Sequence, residues 1–162
     1  LRDAGEADMW IDRWLVSYPI VAPAECRASQ TLAEQRQQVA QAFAGIDSEN
    51  VMAVAHGAAV ASFMAWYGTL SMLEQRRIKG VLLVAPVQSA CQSDSVRYVH
   101  LMCGKAALVM GEQDSLCPSD WAEEQAALWG VRLLVSPHQG HLNGMLGGWQ
   151  WGSKLMQEML LA

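Results

Sequence analysis

Four short runs of this sequence are apolar almost from end to end: VMAVAH at 51–56, GVLLVAP at 80–86, AALVMG at 106–111 and VRLLVSP at 131–137. A strand with one wet face alternates apolar and polar residues. A strand covered on both faces does not, because neither row of side chains meets water. Runs of this kind predict strands of a parallel sheet buried between two layers of helices. A weaker run, YPIVAP at 18–23, is a candidate for an earlier strand.

Helical patterns fall between the runs, as parallel connections require. ADMWIDRWLVSY (7–18) sets Trp10 and Trp14 four residues apart on one face. SQTLAEQRQQVAQAFAG (29–45) carries a stripe of Leu32, Val39 and Phe43, with Thr31 and Glu34 spaced as a capping box and Gly45 as a stop. AVASFMAWYG follows the first clear strand. PSDWAEEQAALWG (118–130) opens with Ser119 or Asp120 as cap and ends at Gly130. A terminal helix with a glycine-rich entrance is expected within 143–162. The stretch from Gln88 to Met102 fits no element clearly, and a lid or a short helix is expected there. Together these predict one α/β domain over residues 1–162, a three-layer sandwich with a mainly parallel sheet and helices on both faces.

Composition narrows the function classes. Of 162 residues 52% are hydrophobic and 17% charged, enough for a folded core and against disorder. A formal net charge of −5 gives no general attraction to nucleic acid or to an anionic membrane surface. No apolar run approaches the roughly 20 residues of a membrane span, and no signal segment is visible. Cys26, Cys91, Cys103 and Cys117 lack metal-type spacing. They predict reduced core thiols in a cytoplasmic protein.

In an open parallel sheet, ligands bind beyond the carboxyl ends of the strands. His56 and Gly57 follow the first clear run, Asp114 the third, and His138 and His141 the fourth. An acid after one strand and a histidine after the last is the chain order of the α/β-hydrolase triad. There a carboxylate fixes the imidazole tautomer, and the imidazole takes a proton from a nucleophile.

The residues also carry a family resemblance. AHGAA (55–59) falls on an elbow that normally reads Ala-His-Ser-Leu-Gly. GVLLVAP matches the next strand, and GEQDSLCP (111–118) the acid loop, with Leu-Trp-Gly closing the helix after it. GHLNG (140–144) matches a loop that is normally Gly-His-Ile-Asn, and LRDAGEADMWIDRW (1–14) the approach to a tryptophan-rich helix. In these the chain resembles the small single-domain serine hydrolases, the group that includes the retinoblastoma-binding serine hydrolase and bacterial esterase-like proteins.

The resemblance implies an α/β-hydrolase fold whose first strand and Pro-Gly turn lie upstream of Leu1. It implies Asp114 as triad acid, His141 as triad base and Gly57 at the nucleophile's position. His56, Gly57 and Ala58 would then line the substrate and oxyanion site, with no cofactor and no metal. Glycine keeps a turn that needs positive φ but supplies no attacking atom. The expectation is a hydrolase homologue of little or no esterase activity. Its partner would be a small ester or carboxylate-like ligand, or an unidentified protein. A displaced nucleophile (Ser62, Ser115 or Cys117) or a water activated by Asp114 and His141 is the alternative. A metal site built from His56, His138, His141 and Asp114 has no support from spacing.

Overall fold

In the computed structural model, residues 1–4, 9–15 and 21–161 are described. The elements run β1 (Arg2–Asp3), α1 (Trp10–Leu15), β2 (Glu25–Cys26), α2 (Leu32–Ala44), β3 (Val51–His56), α3 (Ala59–Tyr67) and α4 (Met72–Arg77). Then follow β4 (Ile78–Val84), α5 (Asp94–Arg97), β5 (Lys105–Glu112), α6 (Ser119–Trp129), β6 (Arg132–Gln139) and α7 (Gln150–Leu161).

The four apolar runs form one parallel sheet in chain order, β3-β4-β5-β6. In register, Val54 faces Leu82 and Ala55 faces Leu83. Leu83 in turn faces Leu108. Alternate residues of β4 explain why both of its faces are apolar. Val81 and Leu83 point into a core with Phe63, Met64, Trp66, Trp121 and Trp129. Leu82 and Val84 point the other way, against Trp10, Trp14, Trp149 and Met156. So α3, α5 and α6 cover one face and α1 and α7 the other, the three-layer α/β arrangement that the runs predict.

The tryptophans of the second layer are one packed cluster. Trp10 lies 4.6 Å from Trp14 and 4.6 Å from Trp149, ring centre to ring centre. Their four-residue spacing on α1 gives them a common face.

The helix ends follow local chemistry. Thr31 and Glu34 form the expected capping box on α2. Gly130 closes α6 in the left-handed conformation, φ 73°. The cap of α6 is Pro118 rather than Ser119 or Asp120. Proline's fixed φ suits the position, and Ser119 is the first helical residue. The sequence patterns left α4 out. Its Met72 and Leu73 are exposed, so it has no buried stripe to reveal it, although Ser71 and Glu74 form a second capping box.

The stretch 88–102 resolves into a 3₁₀ turn at Gln88–Cys91 and the single turn of α5. The Trp129 indole N–H pins it by donating to the Val96 carbonyl at 2.9 Å. Within 18–23, residues 18–20 lie outside the described ones, and 21–23 are not in a strand.

The start of the chain runs along the edge of β3. The Leu1 amine donates to the Val54 carbonyl at 2.6 Å, and the His56 N–H to the Leu1 carbonyl at 3.2 Å. β1 then pairs in parallel with β2, Asp3 opposite Cys26. This path delivers Asp3 to the carboxyl end of β3.

Candidate active site

The site is assembled from three strand ends. After β3 the chain turns at Gly57 with φ +67° and, past Ala58, enters α3. The Gly57 N–H donates to the Val84 carbonyl at 3.0 Å, fixing the turn to β4. A β-carbon at Gly57 would project to 3.5 Å from His141 Nε2. A side chain at this turn would therefore begin within contact distance of the histidine.

After β5 comes Asp114, whose side chain is 2% exposed. Its Oδ1 accepts from the Leu116 N–H at 3.0 Å, a local turn bond that sets the carboxylate's direction. Its Oδ2 faces His141 Nδ1 at 2.8 Å. A carboxylate partner places the proton on Nδ1 and leaves Nε2 as the basic nitrogen. That nitrogen is the one turned toward Gly57.

The histidine loop after β6 is held by its backbone. The Trp10 indole donates to the Leu142 carbonyl at 2.8 Å, and the Gly140 N–H to the Glu112 carbonyl at 2.7 Å. His56 Nε2 donates to the His141 carbonyl at 2.9 Å. His56 itself is completely buried. It packs edge-on to Trp10 and lies 5.0 Å from the His141 ring, centre to centre. Burial holds its pKa down, to about 4, against the opposing pull of its bond to the His141 carbonyl. The structure thus gives His56 a role in positioning the loop from behind.

Gly111 is a second element of that positioning. A β-carbon there would collide with the Gly140 carbonyl oxygen and reach 3.0 Å from the His138 carbonyl oxygen. Both are backbone atoms and cannot swing aside. Gly111→Ala is expected to push the histidine loop outward and to cost about 1–3 kcal/mol, the range for overpacking a core. Urea unfolding checks the stability, and the histidine side-chain NMR signal of His141 checks the loop. Nothing in the local sequence distinguishes Gly111 from an ordinary strand-end glycine.

The other candidates lie apart. Ser62 is buried on α3 and bonds Gln35 Oε1 at 2.7 Å. Cys117 is buried, and desolvation pushes its thiol up to about 12. Ser115 is exposed on the acid loop. His138 pairs with Ser136 Oγ at 3.2 Å, and among the described residues no three His, Cys, Asp or Glu side chains gather as a metal site. A cavity of about 390 Å³ lies among Ala24, Phe43, Val51, Ala53 and Trp66, and it includes none of Gly57, Asp114 or His141. Val51 to Val54 line it, so this cavity runs along β3 and stops short of the turn that carries the chemistry.

One site residue was missed by the sequence patterns. Asp3 Oδ2 accepts from the Ala58 N–H at 2.9 Å. It lies 2.6 Å from where the Gly57 β-carbon would be. The amide after the elbow residue is the donor that receives an oxyanion in α/β-hydrolases. Here a carboxylate of the same chain occupies it. An Arg-Asp pair in a two-residue strand carries no local mark of such a role.

A parallel sheet between helices, with an acid and a histidine meeting at a sharp strand–helix turn, defines an α/β-hydrolase-type protein. A family model described as serine hydrolase matches residues 4–158, and the chain belongs to that family. No curated protein matches it. Among solved structures, it is similar to a protein of Pectobacterium atrosepticum described as a YdeN-like hydrolase. The TM-score is 0.77 at 19% identity, over 95% of this chain and 83% of that one. The ydeN gene product of B. subtilis superposes with a TM-score of 0.72 at 12% identity, over 99% and 97% of the two chains. A hydrolase of the alpha/beta superfamily from Xanthomonas campestris follows, at 0.61 and 14%, over 85% and 80%. At these identities the likeness is one of fold. No described helix is long and apolar enough to cross a membrane.

Proposed function

We propose that this serine hydrolase family member keeps the acid–base half of a hydrolytic site and has lost serine chemistry, with Gly57 standing at the nucleophile's position. The observation that carries this is the direction of the Gly57 turn. A β-carbon there would lie 3.5 Å from His141 Nε2, while Nδ1 is held by Asp114 at 2.8 Å. An acyl-enzyme needs an oxygen or sulfur at that point, and glycine has neither. Losing a triad member leaves only residual catalysis over water, on the order of 10³–10⁴.

The ligand is a small molecule of the ester class. A carboxylate at the Ala58 amide disfavours a second negative charge beside it, so uncharged esters bind in preference to carboxylates. Cys26, Cys91 and Cys117 are buried free thiols. We infer a reducing, cytoplasmic setting from them.

The test is turnover of p-nitrophenyl acetate by the native protein and by His141→Ala. The two are expected to match within a few-fold. A native rate tenfold or more above the variant's would mean that a serine-type site survives.

A further inference from the structure

We propose that α4 and the segment 98–102 form a docking surface for an acidic segment of another protein. Met72, Leu73, Tyr98 and Met102 are its apolar centre, and Arg76 and Lys79 are the charges that select the partner. The surface lies at the far end of α3 from the elbow. It therefore goes beyond the chemistry of Gly57 and does not depend on it.

Apolar side chains scattered singly over a surface need no explanation, but a gathered group does. Met72 (67%), Leu73 (74%), Tyr98 (61%) and Met102 (72%) are among the most exposed large apolar side chains described. The carboxyl end of α3 brings their two segments together. The Tyr67 hydroxyl accepts from the Met102 N–H at 3.1 Å, and the Tyr67 carbonyl accepts from the Gln75 side chain at 3.3 Å. One residue on, a β-carbon at Gly68 would lie 3.0 Å from the Val99 side chain. Gln75 thus ties α4 back to α3, while Met72, Leu73 and Arg76 stay exposed.

The charge of this region runs against that of the chain. Residues 68–80 and 97–105 hold five of the 11 Lys and Arg residues but only one of the 16 acids, Glu74. Glu74 is turned back onto Ser71 as part of the α4 cap. Two of the cations serve the fold: Arg77 donates to the Ser48 carbonyl at 3.1 Å and lies over Phe43, and Arg97 pairs with Glu124 at 2.8 Å. Arg76 and Lys79 are exposed. Burial pushes the Cys103 thiol up, and Lys105 and Lys79 pull it back, so both ammonium groups lie near the end of the segment 98–102.

Exposed apolar side chains beside cations suit acidic protein and anionic lipid alike, and the charge of the whole body separates the two. At a net charge of −5 the chain is repelled by an extended anionic plane. A short segment meets chiefly the field within a Debye length, about 8 Å at physiological salt. Methionine side chains also adapt to apolar groups of different shape, as a peptide contact requires.

The probe is a fluorescent synthetic peptide of Leu-Glu-Glu-Leu repeats, titrated by anisotropy. Saturable binding is expected. It is expected to weaken about tenfold in Arg76→Glu with Lys79→Glu, and about tenfold in Leu73→Ser with Met102→Ser. In the native protein the methyl NMR signals of Met72 and Met102 are expected to shift on titration while those of the buried Met64 and Met110 stay. That arm decides alone if a variant does not fold. No saturable binding, binding that ignores both pairs of substitutions, or equal binding of the peptide with Lys in place of Glu overturns the proposal. Co-sedimentation with phosphatidylserine vesicles that the charge-reversed variant loses would overturn it in favour of a membrane. A dimer that Leu73→Ser with Met102→Ser disperses, seen by analytical ultracentrifugation, would overturn it in favour of a second copy.

Discussion

Gly57→Ser alone is expected to leave the protein almost without esterase activity, whereas Gly57→Ser combined with Asp3→Ala is expected to create it. A serine at this turn restores an oxygen in front of His141, yet its β-carbon falls 2.6 Å from Asp3 Oδ2. The residue must also adopt φ +67°, which costs a non-glycine residue roughly 1–2 kcal/mol. Most important, the Ala58 amide still serves Asp3, so a developing oxyanion competes with a carboxylate already bound to it. One oxyanion donor is worth about 10²–10³ in rate. The double variant is therefore expected to exceed Gly57→Ser by that factor in kcat/KM for p-nitrophenyl acetate. Equal activity of the two variants would show that Asp3 does not hold the oxyanion amide.

A second large effect is expected in the pH dependence of stability. His56 is neutral in the fold, with its pKa lowered to about 4 mainly by burial, while the unfolded chain's histidine titrates at its usual value, 6.5. Above pH 6.5 neither state binds the proton and folding is unaffected. As the pH falls from 6.5 to 4 the unfolded chain takes up a proton that the fold refuses. Stability drops across that window and levels below it. A shift of this size corresponds to about 3 kcal/mol. His56→Gln keeps an amide N–H for the His141 carbonyl and removes the titration. Urea midpoints at pH 7 and pH 4.5 are expected to differ more for the native protein than for the variant, after the carboxylates common to both have made their equal contribution. Parallel curves would contradict the buried neutral histidine.

Much of this was legible in the sequence, for reasons that differ by element. The four strands announced themselves because burial on both faces removes polar residues from both rows. Asp114 and His141 were legible because the sheet's topology forces strand ends together, whatever the distance in sequence. The capping box on α2 was legible because Thr31 and Glu34 act locally. α4 has the same kind of cap but no buried face, and apolar periodicity is silent about a helix that lies on the surface. Gly111 was legible as a residue but not as part of the site, and His56 was expected in the site's lining rather than as a support of the histidine loop. Their work is done on the backbone of the histidine loop, and a backbone carbonyl leaves no trace in the residue that carries it. Asp3 was the hardest, because it reaches the elbow through the pairing of β1 with β2, two strands of two residues each. No pattern of apolar residues announces so short a pair.

The most direct measurement is fluorophosphonate labelling of the native protein beside the Gly57→Ser, Asp3→Ala double variant, with the labelled peptide identified by mass. The retained Asp114–His141 pair and the missing nucleophile predict an unlabelled native protein, and a double variant labelled at position 57 alone. A labelled native protein would reveal a serine nucleophile elsewhere, and a silent, folded double variant would mean that the acid–base pair is not poised at this turn.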